Sequence, residues 1–150
     1  KKESLKEQHD DKSQEKALRN KTILLAEDNK LNAEIAMTIL QDAHARVEVA
    51  SDGAIALSML KEAPAGYYDV ILMDIQMPHM NGYQASEAIR KLLDDRARTP
   101  IIAMTANAFE EDHKAALAAG MDAYVAKPIE IDTLFSTITQ VLNKDSLDLK

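Results

Sequence analysis

The sequence predicts an α/β domain built on a parallel sheet with helices on both faces. Three observations carry that expectation. Short apolar runs alternate five times with segments of helical periodicity. The connections between them are short, as in successive βα units. The runs at Asp69–Met73 and Pro100–Met104 are apolar almost throughout, as strands covered on both faces are.

The elements follow in order. Thr22–Ala26 is the first strand, and Leu31–Gln41 is a helix with apolar Leu31, Ile35, Ala36, Ile39 and Leu40 at helical spacing. Arg46–Ala50 alternates polar with apolar, which places the second strand at a sheet edge. Ala54–Lys61 is helical, with Ile55, Leu57, Met59 and Leu60 to bury, and Pro64 and Gly66 end it. The third strand is Asp69–Met73. Ser86–Leu93 is the next helix, burying Ile89, Leu92 and Leu93, and Pro100–Met104 is the fourth strand. An Ala-rich helix over Glu110–Ala119 ends at Gly120, a residue suited to the left-handed position after a helix. Ala123–Ala126 is the fifth strand. The last helix sets Ile131, Leu134, Phe135, Ile138, Val141 and Leu142 at steps of three and four.

Residues 1–20 are charged or polar apart from Leu5, Ala17 and Leu18, and read as a linker or tail. The folded domain is expected over 21–143, with 144–150 a frayed exit. The chain does not open on Met, so it is expected to be a piece of something longer.

Composition excludes several classes. The 150 residues carry a net charge of −7, no Cys, no Trp and six aromatics. Without Cys there is no disulfide framework, thiolate nucleophile or zinc–thiolate site. The acidic balance and the few aromatics argue against nucleic acid as a partner of this domain. No apolar run approaches the roughly 20 residues of a membrane span, and no signal peptide opens the chain. A cytoplasmic domain without membrane contact of its own is expected, whatever another region of a parent chain does.

In open parallel sheets, ligands bind outside the carboxyl ends of the strands. Glu27, Asp28 and Asn29 follow the first strand there, Asp74 to Pro78 the third, Thr105 to Asn107 the fourth, and Lys127 and Pro128 the fifth. Each has an ordinary explanation alone: solvated loop acids, an N-cap, a turn former, an exposed lysine. Together they bring three carboxylates, a hydroxyl and an ammonium to one rim. Crowded carboxylates repel unless a cation compensates them, and oxygen ligands without His or Cys suit a hard ion such as Mg²⁺, with Mn²⁺ an alternative. Such a site has the parts for phosphoryl transfer, with a carboxylate able to serve as nucleophile.

The segments Ile23–Asn29, Asp69–Pro78 with Gly82, Ile102–Ala108 and Ala119–Ile129 resemble the receiver (response-regulator) domain of two-component signalling, over roughly Thr22 to Asn143. The resemblance implies a flavodoxin-like (βα)5 fold with strand order 2-1-3-4-5. It implies that Asp74 is the phosphoacceptor for a partner's phosphohistidine. Asp28, Asp74 and the Gln76 backbone carbonyl would bind Mg²⁺ directly, and Glu27 through water. Lys127 would pair with the phosphoryl group, and Thr105 with Tyr124 would form the switch. Gln76 and Asn107 would tune phosphate lifetime, and the Lys127–Pro128 peptide would be cis. One departure is His44–Ala45, where the family has a Gly before the second strand.

The entry to the first helix and the run Met104–Ala108 look most like receivers of hybrid sensor histidine kinases. That implies a kinase core on the same chain and a histidine phosphotransfer domain as partner. A stand-alone response regulator is the close alternative. An aspartate-nucleophile phosphatase is a third reading, although its second acid would fall at Gln76. A pure docking module would have no need of all five polar groups.

Overall fold

The structure is a computed structural model that describes residues 17–106 and 110–148. Five strands, β1 (Thr22–Ala26), β2 (Arg46–Ala50), β3 (Val70–Asp74), β4 (Ile101–Thr105) and β5 (Ala123–Ala126), pair in parallel in the order β2-β1-β3-β4-β5. Helices α1 (Lys30–Asp42), α2 (Gly53–Glu62), α3 (Gly82–Arg90), α4 (Glu110–Ala118) and α5 (Ile131–Asp148) connect or follow them. The flavodoxin-like fold and the edge position of β2 are as expected.

Strand periodicity divides the core. Ile23, Leu25, Val70, Leu72, Ile102 and Met104 meet α1 and α5 on one face. Their alternates Leu24, Ile71, Met73, Ile101 and Ala103 meet α2, α3 and α4 on the other. Residues that alternate between two helical layers are all apolar, so β1, β3 and β4 read as unbroken runs. The register sets Ala26 beside Met73, Asp74 beside Met104 and Thr105 beside Ala126. The residues that end these strands therefore share one edge.

The helices depart from expectation where small residues do the packing. In α1, Ala33, Ala36 and Leu40 are buried while Leu31 and Ile35 are exposed. Ile55 of α2 and Leu93 are exposed as well, so neither belongs to the core. Helix α3 begins at Gly82, not Ser86. Its Asn81 side chain accepts from Gln84 N while the Gln84 side chain accepts from Asn81 N, a reciprocal cap that secures the first turn. Helix α5 runs to Asp148, past the expected exit at residue 143.

Packing also reaches back beyond residue 21. Leu18 is fully buried in the cluster that holds Leu40, Ala43, Ala45 and Val141. Asn20 N donates to His44 O and Arg46 N to Lys21 O, tying this segment to the start of β2. His44 has a φ of 68°, the left-handed region that glycine adopts without a Cβ penalty, so the turn keeps the conformation that suits the family's glycine although a histidine occupies it. Of the linker expected over residues 1–20, residues 1–16 lie outside the described residues. Leu18→Ala is expected to cost roughly 2–5 kcal/mol, the range for emptying a buried leucine site. Urea unfolding checks this, and an unchanged midpoint would show that the segment contributes nothing to the fold.

Candidate functional site

Local sequence builds each side of the site. Beyond β1, Glu27 turns back so that its Oε2 accepts from Asn29 N at 3.1 Å, and Asn29 then caps α1 by accepting from Asn32 N. Asp74 is the last residue of β3, and its Oδ1 accepts from Gln76 N at 3.1 Å. Lys127 follows β5, and its backbone N donates to Thr105 O at 2.7 Å. The Lys127–Pro128 peptide is cis, as the resemblance implied.

These pieces converge through one ammonium. Lys127 Nζ lies 2.6 Å from Glu27 Oε1 and 3.0 Å from Asp74 Oδ2. Glu27 and Asp74 are 3% and 5% exposed, so both charges have left bulk water, while Asp28 stays exposed. One oxygen from each of Glu27, Asp28 and Asp74 falls within a 4.8 Å group. Burial raises the Glu27 carboxyl above its ordinary value, and its hydrogen-bonded neighbour Asp74 raises it further. Lys127 and the Asn29 amide pull it back only in part. Burial alone would lower Lys127, but its hydrogen bonds to Glu27 and Asp74 and their charges outweigh burial, and the ammonium is held above its usual range.

This donor set fits a hard divalent cation. Three carboxylates, when ionised, face a single ammonium, which leaves two negative charges to be compensated, and the cluster's ligands are oxygens. Glu27, Asp28, Asp74, Gln76, Thr105 and Lys127 line one open cavity of about 740 Å³. Tyr124 sits on β5, half-buried, its ring 4.3 Å from that of His113. Asn107 lies outside the described residues. Reasoning from strand ends missed Tyr83 and Asp112, which also line the cavity. They stand on helices, where no strand-end rule points to them. At Gly82, which precedes Tyr83, a Cβ would meet Asp74 O at 2.4 Å, so the close approach of this turn to the acid needs glycine.

Comparison with known proteins gives a consistent result. The family described as the response regulator receiver domain matches residues 23–139. Hybrid signal transduction histidine kinase M of Dictyostelium discoideum is 40% identical over 126 residues, covering 82% of this chain and 5% of that protein. The chain spans only 5% to 15% of the length of the curated relatives it matches. Among solved structures, the receiver domain of sensor histidine kinase PA1611 from Pseudomonas aeruginosa superposes with a TM-score of 0.75 at 35% identity. It covers 83% of this chain and 98% of that one, and it has magnesium coordinated in its active-site cleft. The receiver domain of Ssk1, crystallised with the histidine phosphotransfer protein Ypd1 of Saccharomyces cerevisiae, matches with a TM-score of 0.74 at 28% identity, covering 83% of this chain and 90% of that one.

Proposed function

Because this chain belongs to the response regulator receiver domain family, we propose that Asp74 accepts a phosphoryl group from a partner's phosphohistidine in a Mg²⁺-dependent reaction. The observation that carries this is the position of Asp74: buried at a strand end, in a cavity open to solvent, with an ammonium 3.0 Å from one carboxylate oxygen. An Asp74 oxygen forms the new O–P bond as the donor's N–P bond breaks, and the departing imidazole recovers a proton. The Gln76 N–H orients the carboxylate through Oδ1. Lys127, already 3.0 Å from Asp74 Oδ2, would pair with an oxygen of the transferred group. Asp28, Asp74 and the Gln76 carbonyl would hold the cation, with Glu27 acting through water. When bound, the ion supplies charge neutralisation at the transferred group's oxygens.

The output would be a shift of Thr105 and Tyr124 that alters the surface of α4, β5 and α5, with Gln76 and Asn107 setting phosphate lifetime. The relatives' names support a place within a hybrid sensor histidine kinase that relays phosphate to a histidine phosphotransfer domain. No described helix is long and apolar enough to cross a membrane.

Intact-mass measurement after treatment with a small phosphodonor tests the central step. One added phosphate is expected, dependent on Mg²⁺ and absent from Asp74→Asn. Labelling that survives in that variant would remove Asp74 from the role. Steady turnover of a phosphate ester, lost in the same variant, would point to the phosphatase reading instead.

A further inference from the structure

Among the cavity residues that the phosphoacceptor role does not use are Tyr83 in the first turn of α3 and Asp112 in α4. The Tyr83 hydroxyl is sealed from solvent and has no hydrogen-bond partner among the described residues. Leaving a buried hydroxyl unpaired is costly, and native structures rarely tolerate it without cause. Burial raises the Tyr83 phenol above its ordinary value, and the nearby charge of Asp112 raises it further, so the two groups sense each other across the α3–α4 cleft. At the next position of α4, His113 lays its ring against Tyr124 of β5, tilted by 45°. Of these adjacent residues in α4, His113 is in ring contact with a tyrosine, whereas Asp112 shares a cavity with the other and acts on it through charge.

We infer that Tyr83 and Asp112 form a latch between α3 and α4, open in the resting domain and closed when Asp74 carries a phosphoryl group. The inference rests on the phosphoacceptor reading. Phosphorylation adds close to two negative charges to a cavity that Asp112 already lines, and repels that carboxylate. Asp112 stands in the helix that follows β4, the strand that Thr105 ends. The Tyr83 hydroxyl is a donor without a partner among the described residues, Asp112 lines the same cavity, and a charge-assisted bond between them would satisfy it. A bond available in only one state shifts the equilibrium toward that state.

A double-mutant cycle tests the latch. Wild type, Tyr83→Phe, Asp112→Ala and the double variant are titrated with beryllofluoride, a stable phosphoryl mimic, in saturating Mg²⁺. Mass labelling by a small phosphodonor and melting of the Mg²⁺-free proteins are recorded in parallel. Tyr83→Phe is expected to weaken apparent beryllofluoride affinity about five- to tenfold, while its Mg²⁺-free melting temperature is unchanged or raised. In the Asp112→Ala background the same substitution is expected to change affinity less than about twofold. Wild-type affinity in Tyr83→Phe, equal losses in both backgrounds, or a lowered Mg²⁺-free melting temperature would each overturn the latch. Wild type that takes up neither phosphate nor beryllofluoride would overturn the phosphoacceptor reading and the latch with it. A labelled wild type beside a neutral Tyr83→Phe would overturn the latch alone.

Discussion

Lys127→Met is expected to destabilise the Mg²⁺-free domain by about 2–4 kcal/mol, with Mg²⁺ restoring most of the loss. Removing one partner of a buried ion pair typically costs about 3–5 kcal/mol because a charge is left uncompensated. Here the ammonium contacts Glu27 and Asp74, whose side chains are 2% and 7% exposed. The lower estimate allows for Glu27, which burial already predisposes to hold a proton. Lys127 is held above its ordinary 10.5, so its contribution is complete below that value and is lost only as pH rises through its folded-state value. Glu27 is raised above 4.5, so acidifying from neutrality toward 4.5 favours the folded state and should shrink the deficit of the variant. Urea unfolding with and without Mg²⁺ at two pH values provides the measurement. Phosphodonor labelling should slow by roughly a hundredfold, the scale for losing one preorganised donor to developing charge. A variant as stable as wild type and indifferent to Mg²⁺ would mean that the ammonium does not balance the carboxylates.

Gly82→Ala is expected to cost about 2–3 kcal/mol and to slow labelling of Asp74, although residue 82 carries no functional group. A Cβ there would lie 2.4 Å from Asp74 O and 3.0 Å from Ile75 Cα. Both are backbone atoms, so no change of rotamer relieves the clash. The loop from Asp74 to Gly82 must move, taking the acid's carbonyl with it and breaking the bond from Gly82 N to Ile75 O. Gly66→Ala is the control. That position has a φ of +83° but nothing within 4 Å, so only conformational strain of about 1–2 kcal/mol is expected, with labelling unchanged. Equal labelling in the two variants would dissociate the close approach at Gly82 from the chemistry.

How much of this could be read from the chain depends on residue size and sequence distance. β1, β3 and β4 were legible because burial on both faces forces apolar runs. The start of α3 was not, because its first turn buries Gly82, Ala85 and Ser86, which carry almost no hydropathic signal. Leu18 was hidden by its charged neighbours. At the site, the carboxylates were legible as strand ends. The double engagement of Lys127 was not, since its partners lie 53 and 100 residues away and only the sheet register brings them together. Tyr83 became visible through its place in the cavity and the hydrogen bond it lacks among the described residues, properties no sequence pattern encodes.

The anchorage of Leu18 bears on how a donor reaches Asp74. Leu18 and the bonds beside it sit at the amino-terminal pole of the sheet, next to His44 and the start of β2, whereas the cavity opens at the opposite pole. The two are separated by the length of a five-residue strand, roughly 16 Å. The described chain therefore enters the domain through a seated side chain on the far side from the chemistry. Sharing a polypeptide gives a phosphohistidine no automatic proximity to this aspartate. Its effective concentration is set by whether the intervening segment can span the domain, so linker length, and not covalent connection as such, would divide transfer within a chain from transfer between chains.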